Sequence, residues 1–116
     1  MDAARLESLP SIEDAVWREL GRAARTKGHG WRVGVLATAH EGLPDARSVV
    51  LRDLDPQTRT LLIYTDSRSP KAQQMKAQPQ GVLVLWSEPL GWQLRLSVAL
   101  TLETAGLRVS SRWAQL

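Results

Sequence analysis

From Trp92 to Glu103 the chain alternates without a break. Trp92, Leu94, Leu96, Val98, Leu100 and Leu102 are apolar, and Gln93, Arg95, Ser97, Ala99, Thr101 and Glu103 fall between them. A period of two with one apolar face marks a strand lying on a core. The same period begins at Trp31, where Trp31, Val33, Val35 and Ala37 alternate with Arg32, Gly34, Leu36 and Thr38, and predicts a first strand. A second strand is read over Ala46 to Asp53 around Val49-Val50-Leu51, and a fourth over Val82 to Trp86 behind Gly81. The third, Leu61 to Thr65, is apolar on both faces and therefore central. Glu41-Gly42-Leu43-Pro44-Asp45, Asp55-Pro56-Gln57 and Glu88-Pro89-Leu90-Gly91 carry the turn chemistry that separates these runs.

Ahead of the strands the period is helical. Ser11 can cap a helix with Asp14 three residues on, a capping-box variant with a shorter acid. Ile12, Val16, Leu20 and Ala23 then recur at spacings of three and four, widened by Trp17 and Ala24, until Lys27-Gly28-His29-Gly30 stops the pattern. A second, short helix is expected after Ser69, an N-cap followed by Pro70 at the helical position that tolerates it, and it ends before Pro79. Val109 to Leu116 fits strand or helix. Five strands at short spacing, with one short helix among them, predict a mainly β fold rather than a parallel α/β sheet. The expected architecture is a small antiparallel split β-barrel with an N-terminal helix and one short helix between strands.

Composition narrows the function classes. A chain of 116 residues falls within the usual range for one domain, and 43% hydrophobic with 23% charged residues excludes a disordered composition. The net charge of +3 is scattered along the chain, which favours an anionic ligand over nucleic acid. With no cysteine and only His29 and His40, disulfides, thiolate chemistry and a Cys- or His-built metal site are disfavoured. Met1 to Pro10 has no apolar signal core, and no apolar run approaches the ~20 residues of a membrane helix, so the cytoplasm is the default expectation. No Ser/His/Asp order, Walker loop or close carboxylate pair supports a hydrolase or an NTPase.

Three constellations carry candidate chemistry. A cation in the first turn of a helix faces the positive end of the macrodipole, at a cost of ~0.3–1 kcal/mol when exposed. Lys71 stands there, two residues after the Ser69 cap, with Arg68 just before it. A phosphate would reverse the penalty by drawing on free backbone amides, the Ser69 hydroxyl and both cations. The plainer reading is an ordinary cap with solvated basic side chains. Arg47 and Arg52 bracket Ser48-Val49-Val50-Leu51, but residues five apart point to opposite faces of a flat strand, so joint contact with one ligand requires a twist, a bulge or the strand end. Solvated strand ends are again the plainer reading. Gln93 and Arg95 share the polar face of the fifth strand and offer an amide and a cation to a heteroaromatic ring and its anion, or else complete a hydrogen-bond network. Tyr64 and Thr65 end the third strand within reach of whatever the Arg68 to Lys71 loop binds, although a lone tyrosine there is ordinarily a packing residue. The five tryptophans read as core.

Ala46-Arg47-Ser48-Val49-Val50-Leu51-Arg52, then Tyr64-Thr65-Asp66-Ser67-Arg68-Ser69-Pro70-Lys71-Ala72, then Gln93-Leu94-Arg95 resemble, in this order and spacing, the pyridoxamine 5'-phosphate oxidase-like FMN-binding split-barrel family. The likeness is closer to its branch of FMN-binding proteins without established oxidase activity and runs from about Trp31 to Glu103. The resemblance implies FMN as cofactor, with Arg47, Ser48, Val49, Val50, Leu51 and Arg52 lining its phosphate and ring. It further implies a phosphate held by Arg68, Ser69 and Lys71, and a pocket completed by Tyr64, Thr65 and Gln93. It also implies a homodimer with FMN at the interface, an oxidoreductase function, and an unspecified small-molecule substrate. In the oxidases proper an Arg directly precedes the Lys; here Pro70 stands there and Arg68 lies two residues earlier, which redraws the clamp. The oxidases also use a C-terminal segment, with a Trp and an Arg near the flavin and substrate, that is not expected here, since only Ser111-Arg112-Trp113 remains before the end; the chain is read as either naturally short or a fragment. Two rivals remain: the same barrel with a deazaflavin or haem, and a non-catalytic basic barrel that binds RNA or a protein partner.

Overall fold

A computed structural model describes residues 9–64, 80–103 and 106–115. Helix α1 (Leu9–Arg25) leads through a 3-10 turn (Gly30–Arg32) into β1 (Val33–His40), β2 (Leu43–Asp55), β3 (Thr60–Tyr64), β4 (Gln80–Ser87), β5 (Trp92–Glu103) and β6 (Gly106–Gln115). These strands close into an antiparallel barrel in the order β1-β2-β3-β6-β5-β4, so the mainly β barrel expected from the alternation is what forms. The ambiguous C-terminal stretch is its sixth strand. It pairs with both β5 and β3, and without it the sheet would be left open between them. The expected helix between Pro70 and Pro79 lies outside the described residues.

The interior is built by alternation. Leu36, Val49, Leu51, Leu61, Ile63, Leu83, Leu85, Leu94, Leu96, Val98, Leu107 and Val109 are all buried, drawn from all six strands. Helix α1 lies against β2 and the 3-10 turn, burying Val16, Trp17, Leu20 and Ala23 from its apolar stripe. Trp31 plugs the barrel beside the start of β5, its ring 6.1 Å from that of Trp92 and its indole N–H donating to the Trp92 carbonyl at 3.3 Å. His29 ties this turn to the helix. Its Nδ1 accepts from the Trp31 amide at 3.0 Å, so the proton resides on Nε2, which donates to the buried Glu19 carboxylate at 2.6 Å. Gly30 is required here because a Cβ would lie 2.7 Å from the Trp86 carbonyl oxygen and 2.8 Å from the Ser87 Cα, both backbone atoms. Among the described residues no helix is long and apolar enough to cross a membrane.

Several local expectations shift. Pro10 and Ser11 lie inside α1 rather than before it, so Ser11 is not the N-cap; proline's fixed φ suits the first helical turn. The strand after Trp31 starts two residues later than the alternation indicates. The 3-10 turn changes the phase, so that Trp31 is buried while Val33 and Val35 face outward, and Gly34, Leu36 and Thr38 face the core. The second strand is longer than Ala46 to Asp53, beginning at Leu43 and ending at Asp55.

Candidate functional site

Strand register assembles most of the described candidate residues on one outer face. Val50 of β2 pairs with Val33 of β1 on one side and Tyr64 of β3 on the other. Ser48 pairs with Val35, Val35 with Val84 of β4, and Val84 with Arg95 of β5. Trp86 pairs with Gln93. Side chains of directly paired residues on one face stand about 4.5–5.5 Å apart at Cβ, so these rows form a continuous surface. It is unusually apolar for an outer face: Val33 is 55% exposed, Tyr64 58% and Trp86 52%, with Val35 and Val50 also exposed. Ser48, Gln93 and Arg95 supply its polar groups. Contiguous exposed apolar area of this kind marks a surface that binds something.

Arg47 points the other way. Its side chain is only 13% exposed and lies on the core side of β2, where Nη2 donates to the Thr38 hydroxyl at 2.9 Å and reaches Asp45 Oδ2 at 3.4 Å. Its Nε and Nη1 are buried without a hydrogen-bond partner among the described residues. Buried polar groups are nearly always paired, so two orphaned guanidinium donors define a place where an acceptor is wanted. Gly81 lets β4 approach β1 closely at this level, since a Cβ there would come within 2.7 Å of the Ala37 carbonyl oxygen and 3.3 Å of Thr38 Cγ2. The chain leaves β3 at Tyr64 and re-enters β4 at Gln80, next to this glycine. The connection therefore departs from and returns to the part of the barrel that holds Arg47.

Arg52 keeps the opposite side from Arg47. The β2–β3 register skips between Leu51 and Asp53, which makes Arg52 the extra residue of a bulge, exposed on the same side as Ser48 and Val50. Val49 and Leu51 are core residues, so any contact they make with an outer-face ligand is through their backbone. Thr65, Arg68, Ser69 and Lys71 lie outside the described residues. The polar face of β5, with Gln93 and Arg95, is the outer one.

Sequence reasoning missed Val33, Val35 and Trp86, and it missed Thr38 as the partner of Arg47. Trp17, Trp31 and Trp92 are buried as expected, but Trp86 is not. The available signal was parity: Trp86 lies one residue from Leu85 in a strand whose inner positions are Leu83 and Leu85.

The chain can be set beside known proteins. Residues 14–103 match the family described as pyridoxamine 5'-phosphate oxidase, FMN-binding domain. A curated protein of Nostoc sp. named pyridoxine/pyridoxamine 5'-phosphate oxidase is 32% identical over 88 residues, which cover 76% of this chain and 40% of that protein. The match thus spans about two fifths of its length. A pyridoxamine 5'-phosphate oxidase-related, FMN binding protein of Nostoc punctiforme superposes with a TM-score of 0.64 at 28% identity, over 75% of this chain and 45% of that one. A FAD-binding protein of Mesorhizobium loti shares the fold, with a TM-score of 0.63 at 15% identity over 86% of this chain and 89% of its own.

Proposed function

Because the chain belongs to the pyridoxamine 5'-phosphate oxidase FMN-binding domain family, we propose that it binds FMN on the outer face of the barrel and serves as a flavin-dependent oxidoreductase. The observation that carries this reading is the Arg47 guanidinium, with two buried N–H groups lacking acceptors among the described residues, on the inner side of a strand whose outer face is apolar. An anionic group attached to a flat, largely apolar ring suits both features, and flavin mononucleotide has that form. The choice of FMN over other flavins follows the family description.

In this arrangement Arg47 takes part of the phosphate charge, together with Arg68, Ser69, Thr65 and Lys71 of the connection. Val33, Val35, Val50 and Trp86 offer the surface that covers the ring and excludes water from it. Gln93 presents both an amide donor and a carbonyl acceptor to the polar edge of the ring, and Ser48, Tyr64 and Arg52 stand around the same face. When bound, the flavin supplies the redox chemistry, while the protein fixes its position and tunes its surroundings. The face is open on its far side, so we assign the second wall to another copy of this chain in a homodimer. The substrate is a small molecule that reaches the ring between the two copies.

Purified protein mixed with excess FMN is expected to retain flavin absorbance after gel filtration and to show quenched tryptophan fluorescence, with exposed Trp86 as the nearest reporter. Protein that emerges colourless, with its tryptophan emission unchanged, would overturn the assignment.

A further inference from the structure

Where α1 lies against β2, a groove of about 630 Å³ opens between the helix and the turn from β2 to β3. It shares none of its described lining with the outer-face site. The helix wall is one stripe, with Trp17, Arg18, Gly21 and Arg25 at helical spacing, and Asp53 and Arg59 stand opposite. A volume of this order lies within the range of small-molecule sites, roughly 300–1,000 Å³.

The charges in the groove are unequal in a specific way. Arg59 lies 4.0 Å from Asp14 and 3.9 Å from Glu13, with its guanidinium 5.1 Å from the Trp17 ring centroid. The residue holds a left-handed φ of 52°, an uncommon conformation for a side-chain-bearing residue. Asp53 accepts from the Leu54 amide at 2.8 Å. Asp14 thus has Arg59 beside it, whereas Asp53 keeps its charge. On the helix, Arg22, which lies outside the groove, is 3.8 Å from Glu19. Arg18 and Arg25, which line it, form no ion pair among the described residues.

Gly21 lies between them. Glycine is the poorest helix former after proline, yet this one is not demanded by packing on the barrel. A Cβ at position 21 would touch only the Arg25 guanidinium, at 3.5 Å from Nη1. What the missing side chain provides is floor space, over which Arg25 folds back.

We propose that this groove is a second binding site, which takes a small organic oxyanion, a carboxylate or a phosphate ester, between the guanidinium groups of Arg18 and Arg25. Guanidinium groups bind such anions through paired N–H donors, and the groove's three arginines (Arg18, Arg25 and Arg59) outnumber its two acids (Asp14 and Asp53), leaving Arg18 and Arg25 on one wall without an ion pair among the described residues.

Calorimetric titrations with citrate, pyrophosphate and inorganic phosphate, run with and without FMN, test the proposal. At least one anion is expected to bind, and at least tenfold more weakly to R18Q/R25Q and to Gly21→Leu, whose side chain occupies the floor. R22Q should bind as wild type does, and Gly21→Leu should melt no lower than wild type. The proposal is overturned if none of the three anions binds, if R22Q weakens binding as much as the double variant does, or if both groove variants bind normally. Because the lining differs from that of the outer face, a failure of FMN binding leaves this result readable.

Discussion

Replacing Arg47 with methionine separates a binding role from a packing role. In the free protein the guanidinium gains about 1.5–3 kcal/mol from its charged hydrogen bond to Thr38, and up to ~1 kcal/mol from Asp45, whose carboxylate is a third exposed. Against this stand the two buried donors without partners, at roughly 1–3 kcal/mol each. The opposing contributions are of similar size. A methionine of comparable length, which fills the same space without desolvating a charge, should therefore leave the stability of the apoprotein within about 1 kcal/mol of wild type, or raise it. The same substitution removes a charge-assisted contact to the FMN phosphate, a loss of about 1.5–3 kcal/mol, or ten- to hundredfold in Kd. Urea denaturation of the apoprotein gives the first quantity and a flavin fluorescence titration the second. A variant that loses several kcal/mol of stability, yet binds FMN with unchanged affinity, would show that Arg47 holds the barrel together and has no part in the site.

Two further changes test the scaffold and the face. Substituting Ala for His29 leaves Glu19, which is 8% exposed, with only Arg22 at 3.8 Å among the described residues, and strips the Trp31 amide of its acceptor; the expected loss is about 2–4 kcal/mol in chemical denaturation. A loss below about 0.5 kcal/mol, the range of ordinary surface substitutions, would mean that the contact does not secure the helix to the barrel. Placing Glu at Val50, which is exposed between Val33 and Tyr64, should leave the monomer folded but abolish dimerisation and FMN binding together, as read by light scattering and flavin absorbance. A dimer that persists would put the second copy on another surface.

The parts of this fold that could be read from the sequence are those where alternation and pairing agree. β5 is legible because from Trp92 to Thr101 its outward residues are mostly polar and its inward ones apolar. β6 was ambiguous because its register against β5 shifts between Ser97 and Val98, so that Arg112 is passed over and the alternation after Val109 breaks. The bulge at Arg52 has the same effect on β2. In β1 the alternation marks a strand but does not reveal its inward face, since Trp31 belongs to a 3-10 turn that resets the phase. The site divides similarly. Short motifs pointed to Ser48, Val50, Tyr64 and Gln93 one strand at a time, whereas the contributions of Val33, Val35 and Trp86 depend on which strand neighbours which. That is set by closure of the barrel and has no local signal.

Closure also bears on where chemistry can take place. Eight strands give a barrel interior just wide enough for side chains to fill, and six enclose less. Here Leu36, Leu83, Leu94, Leu96, Val98, Leu107 and Val109 occupy that space with almost no exposure. A flavin-sized ring cannot be held inside, so a ligand of that size must lie against the outside, where strand pairing fixes each side chain on a rigid surface. One convex face contacts only one side of a planar ligand. Enclosing the other side requires a second surface, and the exposed Val33, Val50, Tyr64 and Trp86 favour an apolar one. On this argument the proposed dimer and the proposed cofactor depend on each other, and a protein that bound FMN tightly as a monomer would contradict both the packing argument and the assigned wall.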